Sequence, residues 1–322
     1  MKMANNKSSK LIILASVFLS IIVILYSLLT YLDNRQKEIV ASAVNAISGE
    51  VEQWFVSYDS LFYMLANMPV IKNGNTKEIE TFLESIASAL DPAVQKLIYV
   101  DQDGNGHYQT GEKFQLRDRT YYKRIVQEKS IEKMFVSPHV ARSTSDIVVA
   151  FVHAVKDDKG NVHGALYGSI TLQKLNNMMQ RFQFDENSGN VVMDSNGRLF
   201  VHKDEKIAMN MTAANSASFG YKGLSEQAKI ILNEPSGIVY YADANNISRM
   251  MFFSRVENTP GWVYGVTLHQ SFFATNSYIF IAVMIIVLIA LTSTLLIYSE
   301  EIKAHLNSIF RSNSTPLETI VN

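Results

Sequence analysis

The sequence predicts an α+β chain in which one long N-terminal helix carries two antiparallel sheet modules, with an apolar span at each end. Three observations carry that expectation. Leu11–Leu32 and Tyr278–Tyr298 contain no charge, Gly or Pro, and each is long enough to cross a bilayer as a helix. From Asp33 to Met68 the only helix breaker is Gly49, and Val40, Val44, Ile47, Val51, Trp54, Tyr58, Leu61, Leu65 and Met68 alternate in steps of four and three. Beyond Val94 the order strand, Gly-containing turn, strand, helix, hairpin occurs twice, around residues 94–180 and 189–273.

Composition excludes several classes of function. The 322 residues carry a net charge of −1, and no basic patch with interleaved aromatics points to nucleic acid. There is no Cys, which removes disulfides, thiolate metal sites and cysteine catalysis, and suits an exported domain. No nucleophile elbow, phosphate-binding glycine loop or HExxH occurs, so neither an enzyme nor a resident cofactor is expected.

Taken in order, the tail 1–10 holds Lys2, Lys7 and Lys10 without an acid, which places it in the cytoplasm. The first span, 11–32, is too long for a signal peptide core, and no small-residue cleavage site follows it. A stalk helix, 33–70, comes next. Its heptad seam suits a coiled coil in a homodimer or, equally, a helix covered by the chain's own sheets. The expected modules are 71–182 and 183–275, followed by a second span, 278–298, and a cytoplasmic linker, 299–322. Both termini then lie inside, with one large loop outside.

Within the loop, Thr76–Leu90 places Ile79, Phe82, Leu83, Ile86 and Leu90 on one helical face. Val94–Gly111 reads as a strand, a Gly-rich turn and a strand, and Arg117–Lys129 as a short helix or loop. Asp146–Leu172 reads as a hairpin turning at Asp157–Asn161, and the segment that follows as a helical exit. The second unit repeats this with a turn at Ser195–Gly197, a helix at Ser225–Asn233 closed by Pro235, and strands on both sides of Glu257–Gly261. In both units the helices are expected on one face of the sheet.

Asp101-x-Asp103-x-Asn105-Gly106, with Glu112 six residues on, satisfies the calcium-loop pattern. The preceding KLIYV is strand-like rather than helical, so a hairpin turn accounts for the same letters and no metal site is expected. The seven His, at 107, 139, 153, 163, 202, 269 and 305, have no helical metal spacing. Arg119-Thr120-Tyr121-Tyr122 offers a bidentate cation and aromatic walls, which a small carboxylate ligand needs. The same letters also describe a helix with Tyr in the core and Arg in solvent.

Tyr99–Asn105 (YVDQDGN), Arg117–Arg124 (RDRTYYKR), Ser137–Val155, Gly160–Leu172, Val191–Asp204 and Asn258–Leu268, in this order between two apolar spans, resemble the double Cache family of bacterial extracytoplasmic sensor domains. The resemblance covers essentially the whole loop. It implies two PAS-like modules stacked along the stalk helix, a bacterial inner-membrane location, and a small-molecule ligand in the membrane-distal module. It also assigns the ligand's carboxylate to Arg119, Tyr121 and Tyr122. Amino-acid-binding members place acids where this chain has His139–Ala141 and Ser169, and an imidazole and a hydroxyl cannot replace two carboxylates facing an ammonium group. A carboxylate or other polar metabolite is therefore expected rather than an α-amino acid. Asp146, nearby, either compensates or simply starts the next strand.

The tail beyond Tyr298 contains no output domain, and TPLETIVN is only reminiscent of the start of a HAMP linker. The resemblance thus implies the sensor part of a receptor acting through an output domain or partner outside this chain, for chemotaxis first and for a histidine kinase or diguanylate cyclase next. A membrane-anchored scaffold that binds another protein is the rival reading.

Overall fold

The computed structural model describes residues 2–108, 113–141, 146–204, 206–273, 281–290, 292–294, 296, 304 and 307. Helix α1 (Lys2–Ala66) is continuous through the first apolar span and the seam. The chain then breaks at Pro69 into α2 (Pro69–Lys72) and α3 (Thr76–Ala87), the latter capped by the Asn75 side chain. Two compact units follow from the contacts, one of residues 39–270 and one of 1–38 with 271–322.

In the larger unit, β1 (Val94–Asp101), β2 (Asn105–Tyr108), β3 (Lys113–Gln115), β4 (Lys133–Val140), β5 (Ile147–Lys156) and β6 (Val162–Thr171) form an antiparallel sheet in the order β3-β2-β1-β6-β5-β4. Between β3 and β4 lie the short helix α4 (Thr120–Tyr122) and a π turn, Lys123–Gln127. Helix α5 (Gln173–Gln180) leads to a second antiparallel sheet of β7 (Gly189–Met193), β8 (Leu199–Val201), β9 (Ser236–Ala242), β10 (Ser248–Arg255) and β11 (Val263–His269), ordered β8-β7-β11-β10-β9. Helix α6 (Leu224–Asn233) precedes β9.

The first sheet is covered on both faces, not on one as the sequence suggested. Strands β5 and β6 are buried almost without alternation, the pattern of a two-sided core strand. On one face Leu97, Phe151 and Gly168 lie in register and meet α1. A Cβ on Gly168 would stand 2.3 Å from the Phe62 ring, so this glycine is what lets helix and sheet approach so closely. On the other face Ile98, Val100, Val152 and Ala165 pack with Tyr121, Tyr122, Ile125 and Val126 from α4 and the π turn.

The heptad seam is consumed inside the chain. Val40, Val44, Ile47, Val51, Trp54, Tyr58 and Leu65 are buried, and so are Phe55 and Phe62, which widens the apolar stripe beyond a coiled-coil seam. Phe55 stacks edge-on against Phe151 of β5 and against Trp262, just before β11, with centroids at 4.8 and 5.2 Å. Phe135 of β4 and Phe200 of β8 complete this aromatic junction on Trp262. Polar contacts add to it: Ser48 Oγ donates to the Arg255 carbonyl at 2.9 Å, and Lys133 Nζ and His153 Nε2 lie 3.1 and 3.0 Å from the Asp59 carboxylate. The homodimer expected from the seam therefore loses that basis.

In the smaller unit, one helix among the described residues, α1, is long and apolar enough to cross a membrane. The expected second span is helical at 281–290, 292–294 and 296, and its remainder, with most of 299–322, lies outside the described residues. A pair of crossings is therefore not established.

Candidate functional site

On the α4 side of the first sheet a cavity of about 870 Å³ opens to solvent. Its floor is the sheet face of Ile98, Val148, Tyr167 and Ser169, and its walls come from β3, β4 and the start of α4. The local backbone explains the opening. Arg119 is extended (φ −76°, ψ 135°) and its carbonyl accepts from Lys123 N, so the chain turns sharply into α4. The π turn that follows aims consecutive side chains differently from a regular helix, as such turns often do at functional sites.

Of the residues singled out in the sequence, Arg119, Tyr121, His139 and Ser169 all line this cavity. Two others do not. The Tyr122 hydroxyl donates to the Gln102 carbonyl at 2.7 Å, and its ring belongs to the core beneath α4. Asp146 sits off the wall and accepts from Gln95 Nε2 at 2.7 Å; Gln95 itself lines the cavity. Sequence reasoning missed Lys96, Lys113 and Phe114. The signal for Lys96 was present, since it alternates with Ile98 and Val100 on an inward strand face where a lysine is out of place.

The wall is built from groups that can hydrogen-bond a polar guest. The Tyr121 and Tyr167 rings lie 5.4 Å apart. Burial pushes the Tyr121 phenol up and, less far, that of Tyr167, with the Arg119 charge opposing both, so each hydroxyl stays protonated and can donate. Ser169 Oγ is 1% exposed and forms no well-shaped hydrogen bond among the described residues, although its nearness to Tyr167 offsets part of that phenol's rise. A buried hydroxyl in that state costs free energy unless something enters to meet it. His139 is half-exposed, and Nδ1 donates to the Ser137 carbonyl at 2.9 Å, leaving Nε2 available.

The calcium-like letters form a turn. Asp101 ends β1, and its carboxylate accepts from Asn105 N at 2.8 Å and Asn105 Nδ2 at 3.0 Å around Gly104, whose φ of 75° suits glycine. Glu112 lies outside the described residues. Asp101 also meets His107 Nε2 at 3.0 Å, while Nδ1 of that buried ring meets Glu80 of α3 at 2.8 Å. Burial would raise the Asp101 carboxyl, but the bonds from His107 and Asn105 hold it below the usual carboxylate range. Among the described residues no group of three or more acids and histidines is arranged to hold a metal ion.

Comparison with solved structures gives the same fold in sensor domains. The extracellular domain of rpHK1S-Z16, described as a histidine kinase, superposes with a TM-score of 0.60 at 15% identity, over 74% of this chain and 96% of that one. The ligand-binding domain of the amino-acid chemoreceptor PctB of Pseudomonas aeruginosa, in complex with L-Arg, gives 0.57 at 14% identity over 74% and 97%. That of the Pseudomonas fluorescens chemoreceptor CtaA with L-serine gives 0.56 at 18% over 75% and 99%. No curated protein sequence matches the chain. The sequence model described as a Cache domain matches residues 27–277, which contain both sheets and the seam of α1. The chain belongs to the double Cache family of extracytoplasmic sensor domains.

Proposed function

We propose that this chain is the ligand-sensing part of a bacterial transmembrane signalling receptor. It binds a small carboxylate metabolite in the cavity of the first sheet and passes the change to α1. The observation that carries the reading is the cavity itself, which collects Arg119, Tyr121, His139 and Ser169 from three separate elements onto one wall. In this reading 71–182 is the membrane-distal module and 183–275 the proximal one. The Arg119 fork takes a carboxylate, the Tyr rings exclude water, and Tyr122 and Asp146 hold the wall from behind.

Signal transfer follows from the packing. The cavity floor shares β5 and β6 with the α1 face of the same sheet, so a ligand that prefers one arrangement of that sheet shifts how Phe55 and Phe62 sit on it. The output is chemotaxis, by analogy with the chemoreceptors of the same fold, with a kinase or cyclase as the alternatives. A homodimer uses a face of α1 other than the buried seam.

The test is thermal denaturation of the full chain in detergent against a library of small carboxylates. A ligand at about 100 times its Kd raises the stability of the folded state by about 2.7 kcal/mol. We expect at least one carboxylate to raise the melting temperature and Arg119→Ala to remove the rise. If no small molecule acts while a protein partner is recovered with the chain, the sensor reading fails.

A further inference from the structure

The cavity wall carries charge of one sign. Lys96, Lys113 and Arg119 line it, and among the described residues no Asp or Glu does. Lys96 rises from β1 in register with Ser169 of β6, and its Nζ stands 5.4 Å from the Tyr108 ring and 5.5 Å from the Phe114 ring. Phe114 shares this face, whereas Lys113 pairs with His107, whose ring meets Glu80 of α3 on the opposite face, so Lys96 supplies the ammonium group at this end of the cavity. Arg119 approaches from the start of α4, beside Tyr121.

These cations lack what others in the same region have. Lys133 pairs with Asp59, Lys156 with Glu132 and Lys72 with Asp158. Among the described residues neither Lys96 nor Lys113 has a carboxylate within ion-pair distance, and Arg119 has only Asp118 at 4.0 Å, on a largely exposed side chain. The acid nearest the wall that the sequence suggested, Asp146, is bonded to Gln95 instead of facing in.

Like charges gathered around one cavity repel, and a bound anion relieves the repulsion. A monoanion on Arg119 leaves Lys96 unanswered. A zwitterion brings an ammonium group to cations, with no described acid on the wall to receive it, which is a penalty rather than a contact. Two negative charges at separate ends answer both groups.

We propose that the site takes a small dianion, with one anionic end on the Arg119 guanidinium beside Tyr121 and the other on Lys96 at the Phe114 edge. The proposal rests on the cavity being the ligand site. The buried Ser169 hydroxyl, opposite Lys96, supplies a further donor to the guest. A dicarboxylate has this form, whereas a phosphate monoester, also a dianion, does not. They differ in whether the two charges sit at opposite ends or on one group.

Isothermal titration of the full chain in detergent with succinate, glutarate, butyrate, 4-aminobutyrate and glycerol 3-phosphate tests it. Succinate and butyrate differ by one charged end at similar length, and 4-aminobutyrate reverses the sign of that end. We expect the better dicarboxylate to bind roughly 10-fold or more tighter than butyrate, and 4-aminobutyrate to bind more weakly still, as a charge-assisted hydrogen bond gained or opposed would give. Lys96→Ala should cost the dicarboxylate most of its advantage over butyrate, Lys113→Ala should cost it little, and Arg119→Ala should weaken both. Glycerol 3-phosphate binding above both dicarboxylates would place both charges on one group and overturn the two-ended arrangement. Equal affinity for succinate and butyrate, no response to Lys96→Ala, or silence from every dianion overturns the inference. Butyrate binding that depends on Arg119 would still leave the ligand site standing. Probes that bind equally well to Arg119→Ala would remove that site too.

Discussion

The two sheets share a plan and use their interiors in opposite ways. Strands β2-β1-β6-β5-β4 of the first correspond in order and direction to β8-β7-β11-β10-β9 of the second. On the face away from α1 the first sheet is hollow, with a cavity of about 870 Å³. In the second sheet Met193, Met211, Met251, Tyr221 and Tyr241 fill the equivalent space and leave about 20 Å³, no more than room for a water molecule. The difference lies in what covers the sheet: a short turn with a π bulge in one case, and the 10-residue helix α6 in the other. Topology alone does not make a binding module. In the proposed sensor the hollow sheet receives the guest and the close-packed one passes the displacement on.

The contrast can be broken most forcefully at the aromatic junction. Trp262→Ala removes the ring on which Phe55, Phe135 and Phe200 meet, and should cost about 3–5 kcal/mol. Differential scanning calorimetry would then show the two sheets melting apart rather than together; a single transition lowered as a whole would mean that they are joined elsewhere. A paired truncation comes next. Met251→Ala opens a void in a filled core and should cost about 2–5 kcal/mol, whereas Val148→Ala widens a space already open to solvent and should cost under about 1.5 kcal/mol. Equal losses in chemical denaturation would sink the distinction between hollow and filled.

The smallest effect is in pH. Burial holds the His202 imidazole of the second sheet below its ordinary value, so the unfolded chain takes up the proton first and stability falls as pH drops below about 6.5. The carboxyls of Asp59 and Asp101, on and facing the first sheet, are held low, by the His153 bond at Asp59 and, against burial, by His107 and Asn105 at Asp101. Their contribution is complete above about pH 4 and is lost as pH falls through the lowered values. Hydrogen exchange, corrected for intrinsic rates, should therefore show β7–β11 losing protection between pH 7 and 5, and His202→Asn should abolish that loss. Loss of protection at the same pH in both sheets of the variant and the parent would contradict this.

Much of the fold was legible because the signals were local. The Asp157–Asn161 turn, with Gly160 at φ 83°, joins β5 to β6 where the sequence put it, and α6 ends just before Pro235 as expected. Strand β4 was not read from its residues, since Pro138 interrupts it and the register shifts between Val136 and His139; it is an edge strand, where a proline is tolerated. The seam was visible as a period of 3.5, but a period does not say what covers it. Phe55 and Phe62, adjacent to the seam positions, turned that face toward the sheets. In the site, Arg119 and Tyr121 followed from their chemistry and the family resemblance, whereas the fate of Tyr122 depended on the π turn, which leaves no mark in composition. Phe114 reaches the cavity through the pairing of Gly106 with Phe114 on β2 and β3, a tertiary fact.

One contact between the sheets has a kinetic meaning. Arg198, at the turn of the second sheet, donates through Nη2 to the Pro138 carbonyl at 3.0 Å and is anchored by Asp194. Pro138 immediately precedes His139 on the rim of the cavity. Any outward swing of that rim must either carry Arg198 along or break its bond. For a guest bound in the cavity as proposed, the residence time is thus tied to a side chain that never touches it, and the dwell of the bound state is set jointly by both sheets.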